Sequence, residues 1–103
     1  MNHFVYKLIP PRPTFAADMT EAEQGVMGEH AGYWTDLFEQ GVVVVFGVVM
    51  EQAGAWGLAV VEAEEEDDVR ALASDDPAVK TQLCTFEIGM MPDASVRPRR
   101  TAA

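Results

Sequence analysis

The length, composition and charge of the chain set the first limits on its function. Its 103 residues are 49% hydrophobic and 23% charged, which excludes a largely disordered chain and predicts one ordinary domain. Seventeen acidic and seven basic side chains give a formal net charge of -10 at pH 7. Without residues 92–103, which hold three arginines and one aspartate, the net charge is -12. Such a surface repels phosphate backbones and anionic lipids, so we expect neither nucleic acid nor membrane as a partner.

Cysteine content and hydropathy along the chain favour a cytoplasmic protein. The single cysteine, Cys84, cannot form an internal disulfide, which favours a reducing compartment. The longest apolar run, between Gly41 and Glu51, is far shorter than the roughly 20 residues that cross a bilayer. We expect one domain over residues 1–91 and a polar, disordered tail over residues 92–103.

In chain order, the first half of the sequence predicts a strand, a helix and a second strand. Residues 3–9 are rich in β-branched and aromatic side chains and end at a proline-rich loop, as a strand does. Thr20 and Glu23 have the spacing of a capping box, and apolar residues at helical spacing follow until Gly41. Residues 42–50 are apolar throughout, which is typical of a strand covered on both faces.

The second half predicts a hairpin partner for that strand, a second helix and a last strand. Residues 54–62 are the hairpin partner, and residues 62–68 hold six acids that indicate a solvated helix start. Pro77 is expected to close this helix, and residues 82–91 alternate as a strand does. The order β-α-β-β-α-β is typical of a ferredoxin-like α+β fold, with a four-stranded antiparallel sheet and both helices on one face.

The apolar second strand also predicts a homodimer. Two helices cover only one face of a four-stranded sheet, yet this strand is apolar on both faces. The uncovered face needs an apolar partner, and the simplest one is a second copy of the chain. We therefore expect two copies to pack through their sheet faces.

The chemistry of the chain depends on one histidine, because no strong catalytic, phosphate-binding or metal-binding motif is present. His30 lies in the apolar stripe of the first helix, where a buried imidazole needs a hydrogen-bond partner. Asp76, fixed by the proline after it, is the candidate partner, and Asp75 is its competitor. An aspartate on one ring nitrogen makes the other a general base or acid. The alternative is a core histidine with a structural role.

Three other side chains are candidates for a place in the site. Cys84 is a lone strand cysteine without a basic neighbour, and such residues are usually inert core fillers. Trp34 and Trp56 are suited to the core or the dimer interface, and either could line a pocket. Of the two, Trp34 is the candidate substrate contact.

The order and spacing of these features resemble the YCII-related proteins, which are small dimeric α+β-barrel domains. The resemblance covers roughly residues 3–91 and rests on loose motifs: Phe4-Val5-Tyr6, the prolines of residues 10–13, His30, Gly41 before the valine strand, Gly47 and Asp76-Pro77. It implies two sheets packed into a barrel across a dimer axis. It also implies an active site formed by the helical histidine and the aspartate of the Asp-Pro turn, here His30 and Asp76.

The resemblance further implies chemistry without a cofactor on small cyclic or aromatic compounds, such as the elimination of chloride from a chlorinated hydroxyquinol. Many members carry a basic residue shortly before the helical histidine, but this chain has Met27-Gly28-Glu29 there. Arg12 in the proline loop is the candidate to bind substrate in its place. A second departure is Gly47-Val48, where many members have Gly-Pro.

These inferences predict a lyase- or isomerase-type enzyme that needs no metal or cofactor. His30, oriented by Asp76, would move a proton on a small cyclic or aromatic molecule held by Arg12 and Trp34. One alternative is a non-catalytic dimer that binds or senses a small molecule in the same pocket. Ligand binding would then stabilise the dimer, and no product would form. Another is an accessory domain whose barrel interior is filled with side chains.

Overall fold

The computed structural model describes residues 1–98, and these form the ferredoxin-like α+β fold that the sequence predicts. The sheet is antiparallel and its strand order is β2-β3-β1-β4. The strands are β1 (Asn2–Ile9), β2 (Val43–Glu51), β3 (Gly54–Ala63) and β4 (Thr85–Met91). The helices are α1 (Phe15–Asp18), α2 (Glu21–Glu39), α3 (Glu66–Ser74) and α4 (Pro77–Lys80).

Strand register determines which side chains face the helices. Directly opposite residues of an antiparallel pair lie on the same face, so Tyr6 on β1 shares a face with Ala59 and Ile88. This is the packed face, because its alternate positions on β1 and β3 are buried. Its core combines strand and helix residues: Phe4, Tyr6, Leu8, Ala59, Val61, Trp34, Leu37, Val69 and Ala73.

The long helix α2 begins and ends where the sequence predicts. The Thr20 hydroxyl accepts a hydrogen bond from the Glu23 amide at 3.2 Å, and the Glu23 carboxylate accepts one from the Thr20 amide at 2.9 Å. This is the predicted capping box. Gly41 follows the helix with φ 83°, a left-handed conformation that favours glycine. Trp34 is buried on the face that α2 turns to the sheet, and His30 precedes it by about one turn.

The chain after α3 departs from the prediction. Pro77 was expected to close the second helix, but Asp76 instead caps a further one-turn helix, α4, in which Pro77 is the first residue. Proline suits this position because the N–H of the first helical residue has no partner within the helix, so a residue without an N–H loses no hydrogen bond. The last strand begins at Thr85 instead of Gln82, because Gln82 has φ 63° and cannot continue an extended strand.

Two smaller differences concern the acidic segment and the proline loop. β3 extends to Ala63, so the second long helix begins only at Glu66, later than the start of the acidic run. The one-turn helix α1 follows the prolines, and the sequence pattern does not predict it.

The edge strand β2 is more exposed than its sequence predicts. The exposed fractions in the single chain are 48% for Val45, 69% for Val48 and 76% for Met50. A strand apolar at nearly every position was expected to be covered on both faces. β2 has only one neighbouring strand, so part of its apolar surface lacks a partner in the single chain.

No helix within residues 1–98 has both the length and the apolar character needed to cross a bilayer. Residues 92–98 follow β4 without helix or strand. The remainder of the tail expected over residues 92–103 lies outside the described residues.

Candidate active site

A buried carboxylate lies at the centre of the candidate site. Asp76 is 0% exposed, and as the N-cap of α4 it accepts a hydrogen bond from the Ala78 amide on Oδ1 at 2.9 Å. Its Oδ2 accepts hydrogen bonds from the Tyr6 hydroxyl at 2.8 Å and from the Trp34 indole at 2.7 Å. A strand, the long helix and the one-turn helix therefore meet at one side chain.

His30 binds the same carboxylate through one ring nitrogen. Its Nδ1 lies 2.9 Å from Oδ1 and 2.8 Å from Oδ2 of Asp76. An ionised carboxylate only accepts, so Nδ1 carries the proton and donates it. In the neutral ring this leaves the lone pair on Nε2, which has no hydrogen-bond partner in the part of the chain that the structure describes. The competitor, Asp75, is exposed and makes no contact of this kind within residues 1–98.

Hydrogen bonds keep Asp76 ionised despite its burial. Burial raises the pKa of its carboxyl group, because it disfavours the charged form. Hydrogen bonds from His30, Trp34 and the Ala78 amide stabilise that form, together with the attraction of the imidazole. Their combined effect outweighs burial and places the pKa of Asp76 below its ordinary value.

The surroundings of Asp76 keep its neighbours protonated. Burial and the Asp76 charge raise the pKa of the Tyr6 hydroxyl well above its ordinary value, so Tyr6 acts as a fixed donor. Burial, with the Asp76 charge, also raises the pKa of Cys84 to about 11. A neutral thiol is a poor nucleophile, which agrees with the prediction of an inert Cys84. Within residues 1–98 no group of three or more histidine, cysteine or acidic side chains is arranged to hold a metal ion.

A cavity of about 280 Å³ opens beside His30, between the helices and the sheet. His30, Trp34 and Tyr6 form part of its wall. Most of the remaining wall is apolar and includes Phe15, Met19, Met27 and Phe46. Since a cavity of about 150 Å³ holds a benzene ring, this one has room for a small substituted ring. The arrangement offers a proton acceptor, Nε2 of His30, to a guest in apolar surroundings.

Arg12 lies outside this cavity. Its guanidinium donates to Asp18 at 2.8 Å and to the two oxygens of Glu23 at 2.9 and 2.8 Å. These bonds fasten the proline loop to the start of α2, and the hydrogen bond from Arg12 holds the pKa of Glu23 at about 2. The structure therefore brings His30, Asp76 and Trp34 together and does not bring Arg12 to them.

Tyr6 is the site residue that the sequence pattern does not reveal. Its ring lies on the buried face of β1, where the sequence pattern does not distinguish a tyrosine from other aromatic core residues. The one available signal is that a buried phenol needs a hydrogen-bond partner. That partner is Asp76, which lies 70 positions away in the sequence.

The lowered pKa of Asp76 predicts a loss of stability in acid. The stability that the ionised Asp76 contributes is fully present above the unfolded-state pKa of about 3.9. It is lost as the pH falls through the lower folded-state pKa. Hydrogen bonds also lower the pKa values of Asp18 and Glu23, so the wild-type profile alone does not isolate Asp76. We expect the difference in free energy of unfolding between wild type and Asp76→Asn to narrow from about pH 6 to about pH 2.5.

Urea unfolding at each pH measures this difference. The control is Asp75→Asn, which removes an exposed neighbouring carboxylate, and for which we expect a small and nearly constant difference. A difference for Asp76→Asn that does not change with pH would contradict an ionised, hydrogen-bonded Asp76.

Comparison with known proteins identifies relatives of this fold. The family profile of the YCII-related domain matches residues 4–90. No curated protein matches the sequence significantly. A similar solved structure is that of 5-chloro-2-hydroxyhydroquinone dehydrochlorinase (TftG) from Burkholderia phenoliruptrix AC1100, in complex with 2,5-dihydroxybenzoquinone. The TM-score is 0.56 at 17% sequence identity, over 86% of this chain and 91% of that chain, which shows a shared fold.

Proposed function

The chain belongs to the YCII-related domain family, and on that premise we propose that it is an enzyme acting on a small cyclic or aromatic molecule. The proposed reaction moves a proton in a lyase- or isomerase-type step. The observation that carries the proposal is the contact between His30 and the buried Asp76 at the wall of an apolar cavity. The structural neighbour supports lyase-type chemistry, since its name describes a dehydrochlorinase.

In this proposal His30 is the general base or acid and Asp76 orients it. Nε2 takes a proton from the guest, and the Asp76 carboxylate stabilises the imidazolium that forms. In an elimination the leaving group departs with the electron pair of its bond. In an isomerisation Nε2 returns the proton at another position. General acid–base catalysis contributes typically 10²–10⁴-fold, and orientation of the guest in the cavity adds to it.

Trp34 and Arg12 have different roles in this proposal. Trp34 forms part of the cavity wall and also donates to Asp76, so it both contacts the guest and positions the carboxylate. Arg12 acts at a distance by holding the proline loop against Asp18 and Glu23. The loop leads into α1, and Phe15 of that helix lines the cavity.

The proposal is tested by looking for proton transfer directly. The purified chain is incubated in D2O with single-ring compounds that carry an acidic C–H, and deuterium incorporation is followed by NMR. A parallel reaction contains 5-chloro-2-hydroxyhydroquinone, and its chloride release is measured. We expect at least one compound to be turned over, and the activity to fall by about 10²–10⁴-fold in His30→Asn. Binding of ring compounds without exchange or chloride release would contradict the enzyme and favour the non-catalytic binding dimer.

We also propose that two copies of the chain pack through the sheet faces that the helices leave uncovered. On this face the register aligns Val5 with Val60 and Val60 with Val45, which makes an apolar surface across β1, β3 and β2. Leu58 continues the same face of β3, and Val45 is 48% exposed. A partly exposed apolar patch that spans three strands is typical of a protein interface.

A charge at the centre of this surface is expected to prevent dimerisation. Val60→Glu places an unpaired carboxylate where the second sheet would pack, and burying such a charge is strongly unfavourable. Light scattering coupled to size-exclusion chromatography should give the mass of a dimer for wild type and of a monomer for Val60→Glu. The control is Ala71→Glu on the exposed surface of α3, which should remain dimeric. A monomeric wild type, or a dimeric Val60→Glu, would contradict the proposed interface.

A further inference from the structure

We propose that the cavity beside His30 selects uncharged ring compounds with a weakly acidic proton and rejects anions of the same shape. This inference rests on the proposed function, because it concerns the substrate of that site.

Among the described residues, the wall of the cavity contains no lysine or arginine. The two basic side chains of β1 and the loop after it are directed elsewhere. Arg12 is held by Asp18 and Glu23, and Lys7 lies on the opposite face of the sheet, with its ammonium 4.8 Å from the centre of the Trp56 ring. An anion entering the cavity would therefore leave water without gaining a positive partner from these residues, which is unfavourable.

The charges near the cavity oppose an anion as well. Asp76 is ionised and lies directly behind the imidazole of His30, so a second negative charge at Nε2 would face a buried carboxylate. The net charge of -12 over residues 1–91 adds a negative potential to the surface that the guest approaches. An uncharged guest meets neither repulsion.

The proton balance at His30 gives the second reason. When an uncharged guest loses a proton, its bond to hydrogen breaks, the proton binds Nε2 and the electron pair stays on the guest. The negative charge then forms beside the new imidazolium, and the guest, His30 and Asp76 together keep a net charge of -1. A guest that arrives as an anion makes this total -2 before any transfer. The site thus stabilises a charge that is created within it.

The volume of the cavity suits a small ring. Its volume of about 280 Å³ is less than twice the ~150 Å³ that accommodates benzene. Met19 and Met27 in the wall have flexible, polarisable thioethers that pack well against aromatic rings. One ring with small substituents and one ionisable proton satisfies both the volume and the charge argument.

The test compares two ligands of almost the same shape, uncharged benzamide and anionic benzoate. Their dissociation constants for the wild-type chain are measured at pH 7 and low salt by titration followed by NMR. We expect benzamide to bind at least about tenfold more tightly than benzoate, which corresponds to roughly 1.4 kcal/mol. Equal or tighter binding of benzoate, or no binding of either ligand, would overturn the inference.

A cation placed in the wall should reverse this preference. Met27 lines the cavity one helical turn before His30, so Met27→Lys places an ammonium beside the guest. We expect benzoate binding to strengthen by about tenfold in Met27→Lys and the uncharged preference to persist in the control Met27→Leu. Unchanged benzoate binding in a folded Met27→Lys would contradict the argument, and if this variant fails to fold, the wild-type comparison still decides.

These measurements are independent of turnover. A chain that prefers benzamide but turns nothing over would retain this inference and contradict the proposed enzyme. A chain that turns over ring compounds but prefers anions would retain the enzyme and contradict this inference.

Discussion

Replacing His30 with asparagine is expected to reduce turnover by 10²–10⁴-fold while the chain stays folded. The asparagine amide nitrogen occupies a position similar to Nδ1, so it can still donate to Asp76. The substitution shortens the ring to an amide, so it removes Nε2, the nitrogen that Asp76 leaves free to act as the base. The measurement is kcat/KM for a compound identified by deuterium exchange or chloride release, with circular dichroism and thermal unfolding as tests of the fold.

Two further variants make the result specific. Cys84→Ala should keep most of the activity, because Cys84 lines the cavity as a neutral thiol and has no role in the proposed step. His30→Ala should lose both activity and about 1–3 kcal/mol of stability, because it also removes a hydrogen bond to a buried carboxylate. If His30→Asn retains activity, the histidine has only a structural role.

Asp76→Ala is expected to lower the free energy of unfolding by about 3–5 kcal/mol. The substitution leaves four donors without their acceptor: the Tyr6 hydroxyl, the Trp34 indole, His30 Nδ1 and the Ala78 amide. Burying donors without partners is costly, and a domain of this size has only about 5–15 kcal/mol of stability in total. Urea unfolding measures the change, and the variant should be close to unfolding at physiological temperature.

Asp76→Asn should show a smaller loss of stability, about 1–3 kcal/mol. The side-chain oxygen of asparagine can still accept hydrogen bonds, but its NH2 group would face other donors. The exposed neighbour provides the control, since Asp75→Ala should change stability by no more than about 0.5 kcal/mol. A loss of unfolding free energy below about 1 kcal/mol in Asp76→Ala would show that the hydrogen bonds to this carboxylate do not stabilise the fold.

Local sequence patterns predict the elements of this fold well where a pattern is compatible with only one structure. The sequence places the ends of α2 correctly, at the capping box of Thr20 and Glu23 and at Gly41. In the structure the capping box forms and Gly41 is left-handed. Pro77 is different, because proline both ends one helix and suits the first position of the next. The sequence signal therefore does not distinguish the end of α3 from the start of α4, and the last strand was predicted to begin too early.

The contact between His30 and Asp76 could be anticipated because His30 conflicts with its local pattern and Pro77 fixes the position of Asp76. A histidine in an apolar stripe needs a partner, and the β-α-β-β-α-β order places the two helices side by side. Tyr6 could not be found in this way, since an aromatic residue on the core face of β1 conflicts with nothing. The sequence makes Arg12 a candidate substrate contact, but its position beside Asp18 and Glu23 depends on how the proline loop folds.

The position of the proton on the His30 ring decides whether Nε2 is available as a base. Long-range ¹H–¹⁵N NMR of the neutral imidazole distinguishes its two nitrogens, and His3, the only other histidine, can be removed by His3→Gln. We expect Nδ1 to carry the proton and the Nε2 resonance to move when a ring compound such as phenol enters the cavity. A ring protonated on Nε2, or an Nε2 resonance that does not respond to any bound ring compound, would contradict it.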